Sequence, residues 1–175
     1  MAGPGLGRRT TAFEQATERP TMRLTTFSDY SLRMLIYLAV RREGLSTIQG
    51  IADSYGVSKN HMMKVAHILG QMGYVETIRG KNGGLRLAME PEEIRVGAVI
   101  RRTEEESALV QCFKTTGELC RIEGACALKG MFAEALQAFL TVLDGYTLAD
   151  VVKYRAPLGR LLDISPDQLM LEGRA

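Results

Sequence analysis

Three cysteines in the second half of the chain are the residues best suited to chemistry. Cys112, Cys120 and Cys126 follow the pattern C-x7-C-x5-C, and the Gly and Thr residues between them favour a loop over a packed helix. Thiolates clustered in a loop select iron–sulfur clusters or zinc. Zinc sites usually have paired C-x2–4-C spacing and four protein ligands, and neither feature is present here. Three thiolates without such a pair suit a cluster with one ligand that is not cysteine.

Two other interpretations of the cysteines stay open from their spacing. They could be three unrelated buried thiols, because free cysteine is commonly buried. One of them could pair with a histidine for catalysis, but His61 and His67 are the chain's two histidines. Both fall in a helix that is predicted below to read DNA, which makes catalysis a poor fit. The sequence shows no catalytic acid pair and no phosphate-binding glycine loop, so we expect no enzyme.

The elements that must hold these residues follow from the spacing of apolar side chains. Three short helices, each opened by a serine N-cap, are predicted over 28–43, 46–55 and 58–73. A β-hairpin is predicted over 74–88, because Asn82-Gly83 between two β-rich runs is a strong turn signal. Three helices followed by a hairpin make a winged helix-turn-helix.

Beyond the hairpin the pattern is helical again. Pro91 starts a helix that runs towards Glu106, and a longer helix is predicted over 127–143. The longer helix has a broad apolar stripe, which a chain this small has little other core to cover. Its members are Leu128, Phe132, Leu136, Phe139, Leu140 and Leu143. A short helix over 148–154 and a weakly apolar end complete a fold that is mainly α with a small β-hairpin wing.

The third helix has the polar outer face that a reader of the major groove needs. Side chains in its first turn can reach base edges or phosphates, and basic residues beside the glycine-rich hairpin tip suit a minor groove. For any single residue, an ordinary solvated helix face is the alternative. The residues expected to contact DNA are Ser58, Lys59, Asn60, His61, Lys64, His67, Arg79, Lys81 and Asn82.

The distribution of charge agrees with a nucleic-acid partner. Residues 22–88 hold nine Lys and Arg against four Asp and Glu, whereas residues 89–175 hold ten against fourteen. An apolar fraction of 46% excludes general disorder. No apolar run approaches the roughly 20 residues of a membrane span, and residues 1–21 lack the apolar core of a secretory signal. We therefore expect a protein of the bacterial cytoplasm, associated with the nucleoid and not with a membrane.

With these motifs in hand, the chain resembles the winged-helix repressors of the NsrR/IscR/RirA family over about residues 22–162. The resemblance rests on M-R-L-T-T-F-S-D-Y (22–30), V-S-K-N-H-M-M-K-V (57–65), R-G-K-N-G-G-L-R-L (79–87) and the spacing of the cysteines. The N-H-x-x-K-V helix and the C-R-I-x-x-x-C segment resemble the nitric-oxide-sensing branch in particular. The first cysteine spacing, of seven residues, resembles the iron-responsive branch, so iron or cluster supply stays open as the signal.

The resemblance implies a homodimer that binds a palindromic double-stranded DNA operator and leaves it when nitric oxide attacks an iron–sulfur cluster. The cluster is expected to be 4Fe–4S, with 2Fe–2S as the alternative. Its implied ligands are Cys112, Cys120, Cys126 and, from the other subunit, Asp29. Asp29 could instead be a first-turn acid that the helix dipole stabilises, paired with Arg33. The long helix over 127–143 would be the dimer contact.

These expectations divide the chain into five parts. They are a disordered N-terminal extension over 1–21, a winged helix-turn-helix DNA-binding domain over 22–104, a cysteine cluster-binding loop over 105–126, the dimerisation helix and a short helix over 127–155, and a C-terminal tail over 156–175. A different class of function also stays open, namely a cluster-free module in which the winged helix binds a protein partner.

Overall fold

The computed structural model describes residues 23–104, 110, 113 and 120–169. The predicted disordered extension over 1–21 and Cys112 lie outside these residues. The described part has seven α-helices and a two-stranded antiparallel sheet, which confirms the predicted fold class. The elements are α1 (Thr26–Val40), α2 (Ile48–Tyr55), α3 (Lys59–Gln71), β1 (Val75–Ile78), β2 (Gly84–Leu87), α4 (Val96–Thr103), α5 (Leu128–Asp144), α6 (Leu148–Val151) and α7 (Arg155–Leu161).

Helix α1 runs through the centre of the core, and its predicted start was wrong. Its N-cap is Thr25 rather than Ser28, since the Thr25 hydroxyl accepts a hydrogen bond from the Ser28 amide at 3.1 Å. Ser28 is buried, and its hydroxyl donates to Thr103 at 2.8 Å. The first turn therefore uses Ser28 to hold α4. The buried face of α1 includes Met34 and Leu35, both fully inaccessible to solvent.

The N-cap of α2 lies one residue after the serine that was predicted to cap it. Thr47 is the N-cap, and Ser46 instead pairs with Leu85 of β2 through two backbone hydrogen bonds of 2.9 and 2.8 Å. The predicted C-terminus is confirmed, because α2 ends at Gly56 with a left-handed φ of +62°. This conformation turns the chain sharply between α2 and α3, which pack against each other.

The predicted hairpin is confirmed, and its loop includes the Asn82-Gly83 signal. Strands β1 and β2 pair from Val75 opposite Leu87 to Ile78 opposite Gly84, which leaves the five-residue loop 79–83. The left-handed residue of this loop is Gly80, with φ +117°. The loop is therefore longer than the two-residue loop of a type I′ turn.

The helix predicted to run on from Pro91 is divided in two. Pro91–Glu93 form a short 3-10 turn, and α4 begins only at Val96. Between them the backbone is extended, because Arg95 forms a β-bridge with Thr147, just before α6. A contact between residues so far apart in the chain leaves no trace in the local helical pattern.

The long helix is confirmed as α5, with bounds one residue later than predicted.

The last part of the chain forms more structure than its weak apolar pattern suggested. Helix α7 packs against α1, and the Arg155 side chain donates to the carbonyl of Val40 at 2.7 Å. After α7, Leu162 and Ile164 are buried in the same core as α1. The chain thus returns to the helix-turn-helix after α5.

Candidate DNA-binding face and cysteine segment

Helix α3 presents one face to the core and the other to solvent. Met62, Val65 and Leu69 are at most 2% exposed, and the helix packs against α1, α2 and β1. The hydroxyl of the N-cap residue, Ser58, makes no capping hydrogen bond. Backbone N–H groups that no side chain caps at a helix N-terminus can donate hydrogen bonds to a phosphate. All the predicted DNA contacts on this helix are exposed: Ser58, Lys59, Asn60, His61, Lys64 and His67.

The tip of the wing carries the remaining predicted DNA contacts. Arg79, Lys81 and Asn82 are all exposed in the loop 79–83. Neither basic side chain of the tip forms a salt bridge with another described residue. On the strands, by contrast, Arg86 is paired with Glu76 at 2.8 Å. Within the wing, the positive charge that a phosphate backbone could meet therefore lies at the tip.

A cluster of aromatic and basic side chains joins α1 to the start of α3. The Arg33 guanidinium lies 5.9 Å from the ring centre of Tyr30 and 5.7 Å from that of Tyr55. The Tyr30 and His61 ring centres are 5.9 Å apart. Burial raises the pKa of Tyr55 to about 12, although the charge of Arg33 acts in the opposite direction. Sequence reasoning missed both tyrosines, because a ring contact between two helices leaves no spacing signal.

Asp29 lies in the first turn of α1 and pairs with Arg33 one turn later. Its Oδ2 is 2.9 Å from Nη2 of Arg33, and the Asp29 side chain is 46% exposed. An exposed pair at this helical spacing stabilises a protein by only about 0.5 kcal/mol. The carboxylate is therefore accessible to solvent and is weakly held by Arg33.

Hydrogen bonds tie the N-terminus of α1 to the C-terminus of α4. The Glu104 carboxylate accepts from the Thr25 amide at 2.7 Å and from the Thr25 hydroxyl at 2.8 Å. Beside it lies the buried bond between Ser28 and Thr103. This network places Glu104, the last described residue before the predicted cysteine segment, beside the helix turn that carries Asp29. No pattern in the sequence indicated a role for Glu104.

Two of the three predicted thiol ligands can be described. Cys120 and Cys126 are half-buried free thiols on either side of the short 3-10 turn Glu123–Ala125, and Cys112 lies outside the described residues. In the described ranges, no group of three His, Cys, Asp or Glu side chains could hold a metal ion. Asp29 and the two thiols are thus not brought together within one protomer. Two free thiols six residues apart in the sequence nevertheless supply the type of donor atom that iron–sulfur clusters use.

Helix α5 has more apolar surface than the other described residues cover. None of its residues is buried, and Leu128, Met131 and Val142 are 49%, 64% and 62% exposed. With Ala135 and Ala138 they recur at alternating spacings of three and four, which puts them on one stripe. The rest of the predicted stripe is half-buried: Phe132, Leu136, Phe139, Leu140 and Leu143. No helix in the described ranges is both long and apolar enough to cross a membrane.

Comparison with known proteins places the chain among bacterial regulators. A family model described as "Rrf2: Iron-dependent Transcriptional regulator" matches residues 24–154. The chain is 54% identical over 142 residues to the HTH-type transcriptional regulator NsrR of Bacillus subtilis, covering 81% of this chain and 97% of the relative. It is 49% identical to NsrR of Shouchella clausii, covering 81% and 95%. The structure of CymR (YrzC), the global cysteine regulator of B. subtilis, is similar with a TM-score of 0.59 at 28% identity, covering 76% of this chain and 98% of that one.

These findings confirm the resemblance that the sequence motifs indicated. Proteins at about half identity over most of the chain are transcriptional regulators, and the chain is accordingly not an enzyme. The match over residues 24–154 includes the helix-turn-helix, the wing and α5. The chain therefore belongs to the Rrf2 family of iron-dependent transcriptional regulators.

Proposed function

We propose that the chain is a transcriptional repressor that binds a palindromic DNA operator as a homodimer and releases it when nitric oxide attacks a bound iron–sulfur cluster. One observation carries the DNA-binding part. The exposed polar face of α3 lies in a winged helix-turn-helix whose wing tip is basic, in a chain that belongs to a family of transcriptional regulators. The relatives named NsrR and the resemblance to the nitric-oxide-sensing branch support the choice of signal.

In this proposal α3 lies in the major groove and the wing tip follows the adjacent minor groove. Asn60 has the amide that pairs bidentately with adenine, and His61 can reach a base edge or a phosphate. Lys64 is suited to phosphate, together with the helix N-terminus at Ser58. The remaining proposed contacts are Lys59, His67, Arg79, Lys81 and Asn82. Phosphate contacts of this kind make affinity fall steeply with salt.

The homodimer in this proposal forms through α5. Its exposed stripe holds Met131 near the start and Val142 near the end, and burial of such side chains favours association. Ala135 and Ala138 lie between them and would let a second helix approach closely. Two reading heads joined in this way would match the symmetry of a palindromic operator, with half-sites about one helical turn apart.

The proposed cluster ligands are Cys112, Cys120, Cys126 and Asp29 of the partner subunit. Cys120 and Cys126 are not oxidised to each other, and Asp29 is exposed, so the described donors are accessible as this arrangement requires. We expect a 4Fe–4S cluster, which when bound would supply the iron that nitric oxide attacks. Glu104 and Thr25 hold the helix turn from which Asp29 would reach the neighbouring subunit.

Arg33 gives Asp29 an alternative partner within its own helix. A carboxylate released from the neighbouring subunit can form the 2.9 Å pair with Arg33. Arg33 also lies over Tyr30, whose ring contacts His61 at the start of α3. A change of partner at Asp29 would thus alter the contacts of Arg33 with Tyr30 and of Tyr30 with His61 on the proposed DNA-reading helix. A shift from mostly bound to mostly free DNA requires a few kcal/mol of coupling, about 5 for a complete reversal.

The test is a DNA-binding titration of the full chain, purified without air, before and after nitric oxide is added. We expect a visible absorbance, salt-dependent DNA affinity and weaker binding after exposure. Cys126→Ala is expected to lose the absorbance. A colourless preparation that binds DNA equally well with and without the gas would contradict the proposal.

The role of Asp29 has its own test in Asp29→Ala, with Asp53→Ala as the matched control. Asp53 is an exposed acid on α2 that accepts a hydrogen bond from Gln49. We expect the Asp29 variant to change both the DNA affinity of the cluster-loaded protein and its response to nitric oxide, and the control to change neither. If the loaded Asp29 variant behaves as wild type in both, Asp29 is not a ligand.

A second candidate function uses the same scaffold to sense iron or cluster supply. The description of the family as iron-dependent favours it, as does the spacing of seven residues between Cys112 and Cys120. Graded loss of DNA binding under iron chelation, with indifference to nitric oxide, would support this function. DNA affinity that does not depend on salt would instead favour a winged helix that binds a protein partner.

A further inference from the structure

Helix α3 holds one large apolar side chain in solvent within its polar face. Met63 is 43% exposed, whereas the other large apolar side chains of α3, a helix described throughout, are buried or half-buried. Met63 comes three residues after Asn60 and four before His67, so the three share one stripe of the helix. Exposure of an apolar side chain to water is unfavourable. A partner that covers this stripe would therefore gain from covering Met63.

We propose that Met63 is a specificity-determining residue that recognises thymine through its 5-methyl group. The inference rests on the proposed DNA-binding function. In the major groove a thymine differs from the other bases by this methyl group, which apolar side chains contact. The unbranched thioether of methionine adapts to irregular surfaces. Asn60 and Lys64 can pair with an adenine and a phosphate, and neither can detect a methyl group, so Met63 adds information that the polar contacts lack.

The position of Met63 allows this role to be tested without harm to the fold. The side chain is exposed on one face of α3, while the core is formed by Met62 and Val65 on the other face. Alanine is the best helix former, so Met63→Ala is expected to fold as wild type does. Met63→Leu keeps an apolar side chain at the position. Leu161→Ala removes a 78% exposed apolar side chain from α7 and serves as the matched control.

The experiment first selects duplexes from a random-sequence pool with the wild-type protein, in the state that binds DNA. Each thymine of the selected duplex is then replaced singly by deoxyuridine, which lacks only the 5-methyl group, and affinity is measured by fluorescence anisotropy. For the wild type we expect a loss of about fourfold at one thymine in each half-site, the factor for about one methyl-sized group, ~0.8 kcal/mol. Met63→Ala should lose sensitivity at that thymine alone, Met63→Leu should retain it, and Leu161→Ala should keep the whole profile.

Two outcomes would overturn the inference while the proposed function survives. The wild type could select a sequence and yet be indifferent to every deoxyuridine, or Met63→Ala could keep the full wild-type profile. A wild-type protein that selects no sequence at all would overturn the proposed function, and the inference with it.

Discussion

Among the single residues that the structure describes, Tyr55 has the ionisation that its surroundings alter most clearly. It lies at the end of α2, where burial disfavours the phenolate and raises its pKa to about 12. The Arg33 guanidinium, 5.7 Å from the ring, favours the phenolate, but its effect is smaller than that of burial. The tyrosine therefore stays neutral and packed beside the cation that also holds Asp29.

The raised pKa of Tyr55 predicts a loss of stability in alkali. The unfolded chain releases the phenolic proton near pH 10, whereas the folded chain keeps it until about pH 12. Because the folded state then binds more protons, the free energy of unfolding should fall as pH rises between those values. In Tyr55→Phe this fall should be shallower, as urea unfolding at a series of pH values would measure.

Tyr154→Phe removes an exposed phenol and is the control for that measurement. If Tyr55→Phe and the wild type lose stability equally between about pH 10 and about pH 12, the burial of Tyr55 does not control its ionisation.

At the scale of elements, the hydrogen bonds from Thr25 to Glu104 should be measurable in the stability of the fold. Glu104→Ala leaves the Thr25 amide at the start of α1 without its acceptor. We expect a loss of roughly 1–2 kcal/mol in the free energy of unfolding, measured in urea, and recovery of most of it in Glu104→Gln, which keeps an acceptor oxygen. Glu76→Ala breaks an exposed pair with Arg86 and should cost less than about 1 kcal/mol. Equal losses in the two alanine variants would contradict this prediction.

The junction of α4 and α5 predicts opposite effects for two glycine substitutions. A Cβ at Gly97 would meet the carboxylate and, at 2.9 Å, the backbone nitrogen of Asp144, which pairs with Arg101. Gly97→Ala is therefore expected to destabilise the protein by about 1–3 kcal/mol. A Cβ at Gly130, on α5, would meet nothing within 4 Å.

Gly130→Ala should consequently stabilise the protein by about 0.5–1 kcal/mol, because alanine loses less backbone entropy in a helix. Thermal unfolding of the two variants beside the wild type measures both effects. A stabilising Gly97→Ala would show that Asp144 at the end of α5 does not lie against Gly97.

The helices and the wing could be predicted from the sequence where local pattern controls them. The buried stripe of α3 through Met62, Val65 and Leu69 follows from spacing alone, and so does the polar face opposite. The serine caps were predicted wrongly, because Ser28 and Ser46 form contacts with Thr103 and Leu85, far along the chain. The same reason explains why the start of α4 and the roles of Tyr30 and Glu104 were missed. Local propensity identifies an element, whereas distant partners decide where it begins.

For the whole molecule, the exposed stripe of α5 predicts how protomers associate. Met131 is 64% exposed on that stripe, so Met131→Lys should leave the protomer folded and place a charge in the proposed dimer contact. We expect the wild type to sediment as a dimer, and the variant as a monomer with much weaker operator binding. Gln137→Lys, on another side of α5, should remain dimeric. A monomeric wild type with full DNA affinity would contradict the proposed assembly.

The backbone pairing of Ser46 with Leu85 makes the wing and the helix-turn-helix a single rigid head. The hairpin is tied to the residue that precedes α2 by bonds of 2.9 and 2.8 Å, and β1 packs against α3. We therefore expect the distance from the hairpin tip to the exposed face of α3 to stay constant, so that the proposed contacts with one half-site form and break together. Substitutions that change which DNA sequence the protein prefers should fall within the helix-turn-helix and the wing. Substitutions that abolish the response to a signal but keep the same sequence preference should fall elsewhere in the chain.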